Sequence, residues 1–218
     1  MLLRLARLYT PVISDVLDDL GITSNVLSSQ IRPLHPRMKI FGSAITARTV
    51  KYDRYQGKEI GEWVKVMLEM LESADKGQIF IVETGNAFGI ASWGELMSNS
   101  ARARGVIGAV TDGAVRDTPK ILSMKPPFQL FAPSFSPKDA KGRLEYVAYN
   151  IPVTCGGVRV EPGDIVFGDL DGVVIIPKDR SEEVIKTAEM RVRKETAFRK
   201  AVRRGERVSS VFRKYRIF

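Results

Sequence analysis

Hydrophobic and polar positions follow two periods along the 218-residue chain. Val12, Val16 and Leu20 recur every four positions and share one helix face, so a helix is expected from Thr10 to Leu20. Thr10 suits its cap, Pro11 its first turn and Gly21 its end. Glu59 to Ser73 reads as a second amphipathic helix, with Ile60, Trp63, Val64, Met67, Leu68 and Leu71 on its buried side. Between and after these lie short runs rich in Val and Ile, bounded by Gly, Asp and Pro. Strands are expected over Ile40 to Val50, Ile79 to Val82, Val106 to Val110, Gln129 to Pro133, Ile151 to Val160, Ile165 to Phe167 and Gly172 to Pro177. A helix opens at Trp93-Gly94-Glu95-Leu96, runs to Arg104 and stops at Gly105. Val184, Ala188 and Val192 mark a last helix.

Helices at both ends with strands between them predict an α/β domain with a β-rich middle. No solenoid period and no Pro/Gly/Ser linker divides the chain. One domain over residues 1–218 is expected, with residues 179–218 as a basic, helical C-terminal extension.

Composition narrows the chemistry. Hydrophobic residues make up 44% and charged residues 27%, which suits a globular core and excludes a disordered chain. A single Cys, Cys155, permits no internal disulfide and no thiolate zinc cluster, and fits a reducing compartment. A single His, His35, excludes a His-rich metal site and an HExxH motif. Any metal must rest mainly on oxygen ligands, which points to Mg²⁺ or Mn²⁺. No apolar run nears the roughly 20 residues of a membrane helix. The start, Met1 to Arg7, is too short and too soon charged for a signal peptide, so a cytoplasmic protein is expected.

The net charge of +9 is uneven. From Asp179 to Phe218 there are 13 Lys/Arg against 6 Asp/Glu, a balance of +7. Mixed-sign spacing, with Glu182–Lys186 and Glu195–Arg199 at i,i+4, favours a solvated helix face over a polyanion-binding arm. The last residues mix Phe212, Tyr215 and Phe218 with cations, a pattern equally suited to subunit packing or to stacking on bases.

The region from Trp93 to Pro119 carries the most chemistry. Gly94-Glu95-Leu96-Met97 lies at a helix N-terminus, where the first N–H groups have no partner within the helix. Twenty residues separate Glu95 from Arg116, the span of one helix, one strand and one turn. That spacing returns Arg116-Asp117 to the helix start, outside a strand's carboxyl end. A guanidinium fork takes a carboxylate, backbone N–H groups hold the other end of a small 2-oxo acid, and Asp117 is a hard ligand for Mg²⁺. Such a set suits proton or carbon–carbon bond chemistry beside a carbonyl, with the cation as Lewis acid and Arg116 on the enolate. The bland alternatives are a surface ion pair and ordinary turn residues. Asp164, Asp169 and Asp171 read as turn residues rather than a metal cluster, and Cys155 as a buried apolar group rather than a nucleophile.

These residues resemble a known family. Trp93-Gly94-Glu95-Leu96-Met97, the run from Ala101 to Gly108, and Thr111-Asp112-Gly113-Ala114-Val115-Arg116-Asp117 are similar to the RraA-like family. That family unites class II 4-hydroxy-4-methyl-2-oxoglutarate aldolases with the regulator of ribonuclease activity A. Ser14 to Asp18, Pro162 to Val166 and Gly168 to Val174 share the likeness. The resemblance implies an α/β/β/α layered fold like the swivelling domain of phosphohistidine enzymes, assembled as trimers or hexamers with the site between subunits. It implies Asp117 as metal ligand and Arg116 as carboxylate and enolate contact. Gly94, Leu96 and Met97 would line the 2-oxo acid, with the N–H groups coming from Leu96 and Met97, and Glu95 would hold a metal-bound water. A neighbouring subunit's C-terminal helix would add a carboxylate, with Glu195 first and Glu189 second. One position departs: Lys120 stands where aldolase members tend to carry an acidic residue or His. No Gly-rich S-adenosylmethionine loop follows the first strand, which excludes the methyltransferase name given to some relatives.

The expected activity is a divalent-metal-dependent lyase, cleaving a 4-hydroxy-2-oxo dicarboxylic acid to pyruvate and decarboxylating oxaloacetate by the same enolate route. The alternative is a non-catalytic regulator that binds a ribonuclease or an RNA-associated complex through the basic C-terminus.

Overall fold

Strands buried on both faces organise the molecule. In the computed structural model, which describes residues 8–51 and 60–217 (with side chains from 64 onward in the second stretch), β3 (Gln78–Glu83), β5 (Gly108–Thr111) and β7 (Gln129–Ala132) run parallel beside β2 (Ile40–Lys51). Their side chains alternate strictly. Ile79, Ile81, Val110 and Phe131 enter one core; Phe80, Val82, Ala109 and Leu130 enter another. The near-continuous apolar runs read from the sequence follow from this, since each strand is covered on both sides.

The inner core is closed by a second wall. β12 (Ile165–Asp169) pairs antiparallel with β13 (Gly172–Ile176) and with the first half of β2, matching Phe167 to Phe41. Val166, Val173 and Ile175 point inward to meet Ile79 and Val110. A hairpin of β10 (Val153–Cys155) and β11 (Val158–Val160) adds to the same core. The sheet nearly closes on itself: at its far edge β1 (Arg32–Pro33) pairs with β7, Arg32 donates to the Asp171 carbonyl, and Val26 bridges Val174 on β13.

Helices cover both outer faces. On the parallel side α2 (Ile60–Ser73) and α3 (Glu95–Ala103) bury Met70, Leu71 and Ala101 against Phe80, Trp93 and Leu130. On the other, α1 (Thr10–Asp19) and α5 (Ser181–Arg203) bury Val12, Ile13, Val16, Leu17, Val184 and Ala188 against Phe167, Val174 and Ile176. The order helix, sheet, sheet, helix is the expected α/β/β/α layering, with C-terminal helices α5 and α6 (Val208–Tyr215). Asp15 and Asp19 on α1 grip Arg191 on α5 at 3.2 and 2.8 Å.

Several details differ from the sequence reading. Thr10 is the first residue of α1, not its cap; its N–H and hydroxyl donate to Asp169, at 2.9 and 2.6 Å. Leu68 is exposed while Met70 is buried, because positions 67, 70, 71 and 74 form the inward stripe and 68 lies about 100° off it. Of the α2 positions expected inside, the Ile60 and Trp63 side chains lie outside the described residues. Ile151 to Val160 is a hairpin rather than one strand, turned at Gly156 and Gly157, both with positive φ. β9 (Leu144–Tyr149), unread in the sequence, pairs with the second half of β2 across a register shift between Arg48 and Thr49. No described helix is long and apolar enough to cross a membrane.

Candidate active site

Three short strands set the site. β4 (Ala91–Trp93), β6 (Ala114–Val115) and β8 (Ser134–Phe135) form a small parallel sheet apart from the main one. The main chain continues the ladder past the strand ends: Arg116 N–H donates to the Trp93 carbonyl and Ser136 N–H to the Val115 carbonyl, both at 3.0 Å. Parallel strands release their next residues at one end. Gly94-Glu95 therefore leaves beside Arg116-Asp117, and the segment after β8 brings Asp139. The sequence places Arg116 on the loop after Val110; the structure inserts a tight turn, Asp112-Gly113, and delivers Arg116 from β6.

Arg116 and Asp117 converge with the start of α3. Asp117 Oδ2 accepts from the Glu95 N–H at 3.1 Å and lies 3.6 Å from Arg116 Nε. The carboxylate thus serves one of the orphan donors at the helix N-terminus, where negative charge is favoured. The N–H groups of Leu96 and Met97 have no partner among the described residues. Gly94 is the hinge of this arrangement. A Cβ there would meet Asp117 Oδ2 at 2.8 Å and Arg116 Nε at 3.3 Å. Asp117 itself is left-handed, with φ 58°, a conformation that Asp tolerates better than most residues.

Asp139 was not anticipated. Its Oδ2 lies 3.2 Å from Arg116 Nη1, so two carboxylates flank one guanidinium and Nη2 is left over. No local spacing announces this contact; it depends on where the loop after β8 settles against Ala91.

The other expected residues separate into those placed near and those placed elsewhere. Glu95 contributes its N–H to Asp117, while its carboxylate accepts from Asn99 one turn along α3. Leu96 is 74% exposed and Met97 half-buried. Lys120 is exposed on α4 (Thr118–Ser123). Glu195 sits on α5, on the opposite helix layer; it accepts from Tyr9 OH and lies 3.5 Å from Arg199. One chain does not bring it to Arg116. Glu189 is on the same helix.

Beneath the loop lies a buried polar cluster. Asp112 accepts from Thr84 N–H at 2.6 Å and from the Thr84 hydroxyl at 2.8 Å. Burial pushes its carboxyl above the usual range, and the Thr84 hydrogen bonds oppose that rise. Cys155 is fully buried. Burial first, and the Asp112 charge second, push its thiol well up, so it is inert as a nucleophile. Asp164 accepts from the N–H groups of Glu161 and Lys178, and Asp169 from Thr10 and Asp171; both are turn and cap residues, as expected.

No group of three His, Cys, Asp or Glu side chains converges among the described residues, so a closed protein cage is not formed. The donor set fits a different ion. Mg²⁺ and Mn²⁺ keep several waters and take one or two carboxylates. Asp117 presents such a carboxylate at the edge of a cradle that a Cβ would fill.

A family model described as RraA-like, Aldolase/RraA, matches residues 10–175. The chain belongs to this family. It is 35% identical over 182 residues to an uncharacterized protein of Methanocaldococcus jannaschii, covering 83% of this chain and 82% of that one. It is 31% identical to protein DlpA of Legionella pneumophila over 89% of its own length, but spans only 30% of DlpA. A Thermus thermophilus 4-hydroxy-4-methyl-2-oxoglutarate aldolase is 32% identical over 117 residues, 52% of this chain and 67% of that protein. Among solved structures, Streptomyces coelicolor RraAS2, described as an unusual member of the RNase ES inhibitor RraA family, superposes with a TM-score of 0.80 at 25% identity, covering 90% of this chain and 94% of that one. The RraA-like family thus includes proteins named as aldolases and proteins named as regulators.

Proposed function

We propose that this protein is a divalent-metal-dependent lyase acting on small 2-oxo acids, with a 4-hydroxy-2-oxo dicarboxylic acid as substrate and pyruvate as product. One observation carries the reading: a guanidinium and a carboxylate converge on Gly94 at the start of a helix whose Leu96 and Met97 amides have no partner among the described residues, and even a methyl group at Gly94 would intrude. A surface ion pair needs no such clearance.

In this reading Arg116 offers its remaining donors to the substrate carboxylate in a charge-assisted fork. The Leu96 and Met97 N–H groups hold the opposite end of the 2-oxo acid. Asp117 would hold Mg²⁺ or Mn²⁺, which when bound supplies Lewis-acid polarisation of the 2-oxo group. The 4-hydroxyl gives up its proton to a water held near Glu95, the C3–C4 bond breaks, and its electron pair passes to the 2-oxo carbonyl. Arg116 meets the resulting enolate charge, and protonation at C3 completes pyruvate. Oxaloacetate loses CO₂ along the same electron path. The site is completed between subunits, where Glu195 of another copy supplies a carboxylate that one chain does not bring.

The test is pyruvate release from 4-hydroxy-4-methyl-2-oxoglutarate and from oxaloacetate, with and without Mg²⁺. Turnover that needs the cation and disappears in Asp117→Ala supports the reading. No turnover on either acid overturns it.

The regulator reading rests on the basic C-terminus and on the RNase ES inhibitor family named for RraAS2. Removing everything after Asp179 is a poor test, because Val184, Ile185 and Ala188 belong to the core. Replacing the exposed Arg207, Arg213 and Lys214 with Gln is cleaner. The regulator reading expects salt-sensitive RNA or ribonuclease binding to be lost in that variant while Asp117→Ala retains it.

A further inference from the structure

A cavity lies away from the Arg116 site, on the opposite helix layer. It has a volume of about 520 Å³ and is walled by α1, α5 and α6. Thr187, Met190, Arg191 and Lys194 line it from α5, at the i, i+3, i+4 and i+7 spacing of one helix face. Phe212, Arg216 and Ile217 line it from α6 and the residues that follow, and Asp19 from α1.

Its charge is not balanced from within. Arg191 donates its Nη groups to Asp15 and Asp19. Its Nε is buried with no acceptor among the described residues. Buried donors in folded proteins are almost always paired, so the surroundings of Arg191 are one acceptor short. Lys194 and Arg216 are exposed at the cavity and have no ion-pair partner among the described residues. Lys194 and Arg216 line the same space as Met190, Phe212 and Ile217, while the Arg191 Nε is out of solvent reach. Water satisfies exposed cations, but it does not account for an apolar wall opposite them.

We infer that this cavity binds an amphipathic organic anion: an oxyanion head held by Lys194 and Arg216, with an aromatic or aliphatic body on Met190, Phe212 and Ile217. None of its residues belongs to the Arg116 site, although Lys194 adjoins Glu195, the residue proposed to reach that site in another copy. The volume suits a small molecule rather than a macromolecular segment. Lys194 and Arg216 confer the affinity, while Arg191 keeps its structural grip on α1.

The experiment is titration of the full chain with phenyl phosphate, followed by calorimetry and by amide chemical shifts. The expected result is saturable one-to-one binding, with shifts concentrated at 187–194 and 212–217. The double variant Lys194→Gln/Arg216→Gln weakens it roughly tenfold or more, the scale of losing charge-assisted hydrogen bonds. Arg116→Gln leaves it unchanged, which separates this site from the proposed lyase site. Inorganic phosphate binds more weakly than phenyl phosphate, because it leaves the apolar wall uncovered. Benzoate assigns the head group: as tight as phenyl phosphate, carboxylates are the class; weaker, phosphates are. No saturable binding at millimolar phenyl phosphate, equal binding by the double variant, shifts elsewhere, or inorganic phosphate binding as tightly as phenyl phosphate would each overturn the assignment.

Discussion

Two aspartates five residues apart, one on each side of β6, do opposite things. Asp112 is 3% exposed and accepts two short hydrogen bonds from Thr84. Asp117 is about a third exposed, with one backbone donor and one guanidinium neighbour at 3.6 Å. The first carboxylate has been fitted into the structure and anchors the loop. The second keeps coordination capacity at a surface cleared by Gly94. Burial and completeness of partners, rather than residue type, separate the anchor from the chemistry.

The sharpest test of that contrast is to remove each carboxylate. Asp117→Ala and Arg116→Ala are expected to lower kcat/KM for pyruvate release by roughly 10²- to 10³-fold, about 3–4 kcal/mol of transition-state stabilisation. Their melting temperatures should stay close to that of the parent, because both side chains are partly solvated. A large loss of stability with unchanged turnover would reverse the assignment of the two positions.

Asp112→Ala should show the converse. It strands a buried N–H and a buried hydroxyl on Thr84, at a cost of about 2–4 kcal/mol. For a chain of this size that lowers Tm by roughly 5–15 °C. Residual activity per folded molecule should remain well above that of Asp117→Ala. Thermal unfolding alongside active-site titration distinguishes the outcomes.

Gly94→Ala probes the boundary between the two. The added methyl would lie 2.8 Å from Asp117 Oδ2 and 3.2 Å from Arg116 Cγ. Both neighbours are side chains that can swing away, so the fold should lose only about 1 kcal/mol or so, as for modest overpacking. Activity should fall by about tenfold or more, because the displaced groups are those proposed to meet substrate. Unchanged kinetics would mean that the clearance at Gly94 has no catalytic use.

How much of this was legible beforehand follows from the same distinction between local pattern and tertiary placement. β3, β5, β12 and β13 announced themselves because both faces are buried and no charged residue interrupts their apolar runs. β9 did not: Glu145 and the charged stretch before it break the run, although Leu144 and Tyr146 are buried. The return of Arg116 and Asp117 to the helix start was read from spacing, because one helix and one return strand fix roughly where the chain lands; the choice of the Leu96 and Met97 amides came only through resemblance. Asp139 was invisible, since its contact with Arg116 depends on a loop with no periodic signal. Glu195 was legible only through resemblance, and the structure places it against Tyr9.

The smallest expected effect is also the most specific to Asp112. Burial raises its carboxyl in the folded state, so the folded protein holds that proton at a pH where the unfolded chain has released it. Where the native state binds more protons, stability falls as pH rises. The contribution from Asp112 is therefore fully present below the ordinary carboxylate value of 3.8 and is lost as pH climbs through the raised one. Asp112→Asn keeps an oxygen for Thr84 and cannot titrate. The stability difference between parent and variant should shift toward the parent on acidification through that window and level off below it, in denaturant melts across the acid range. If the difference for Asp112→Asn stays flat across that window, the buried carboxyl is not the anchor it is taken to be.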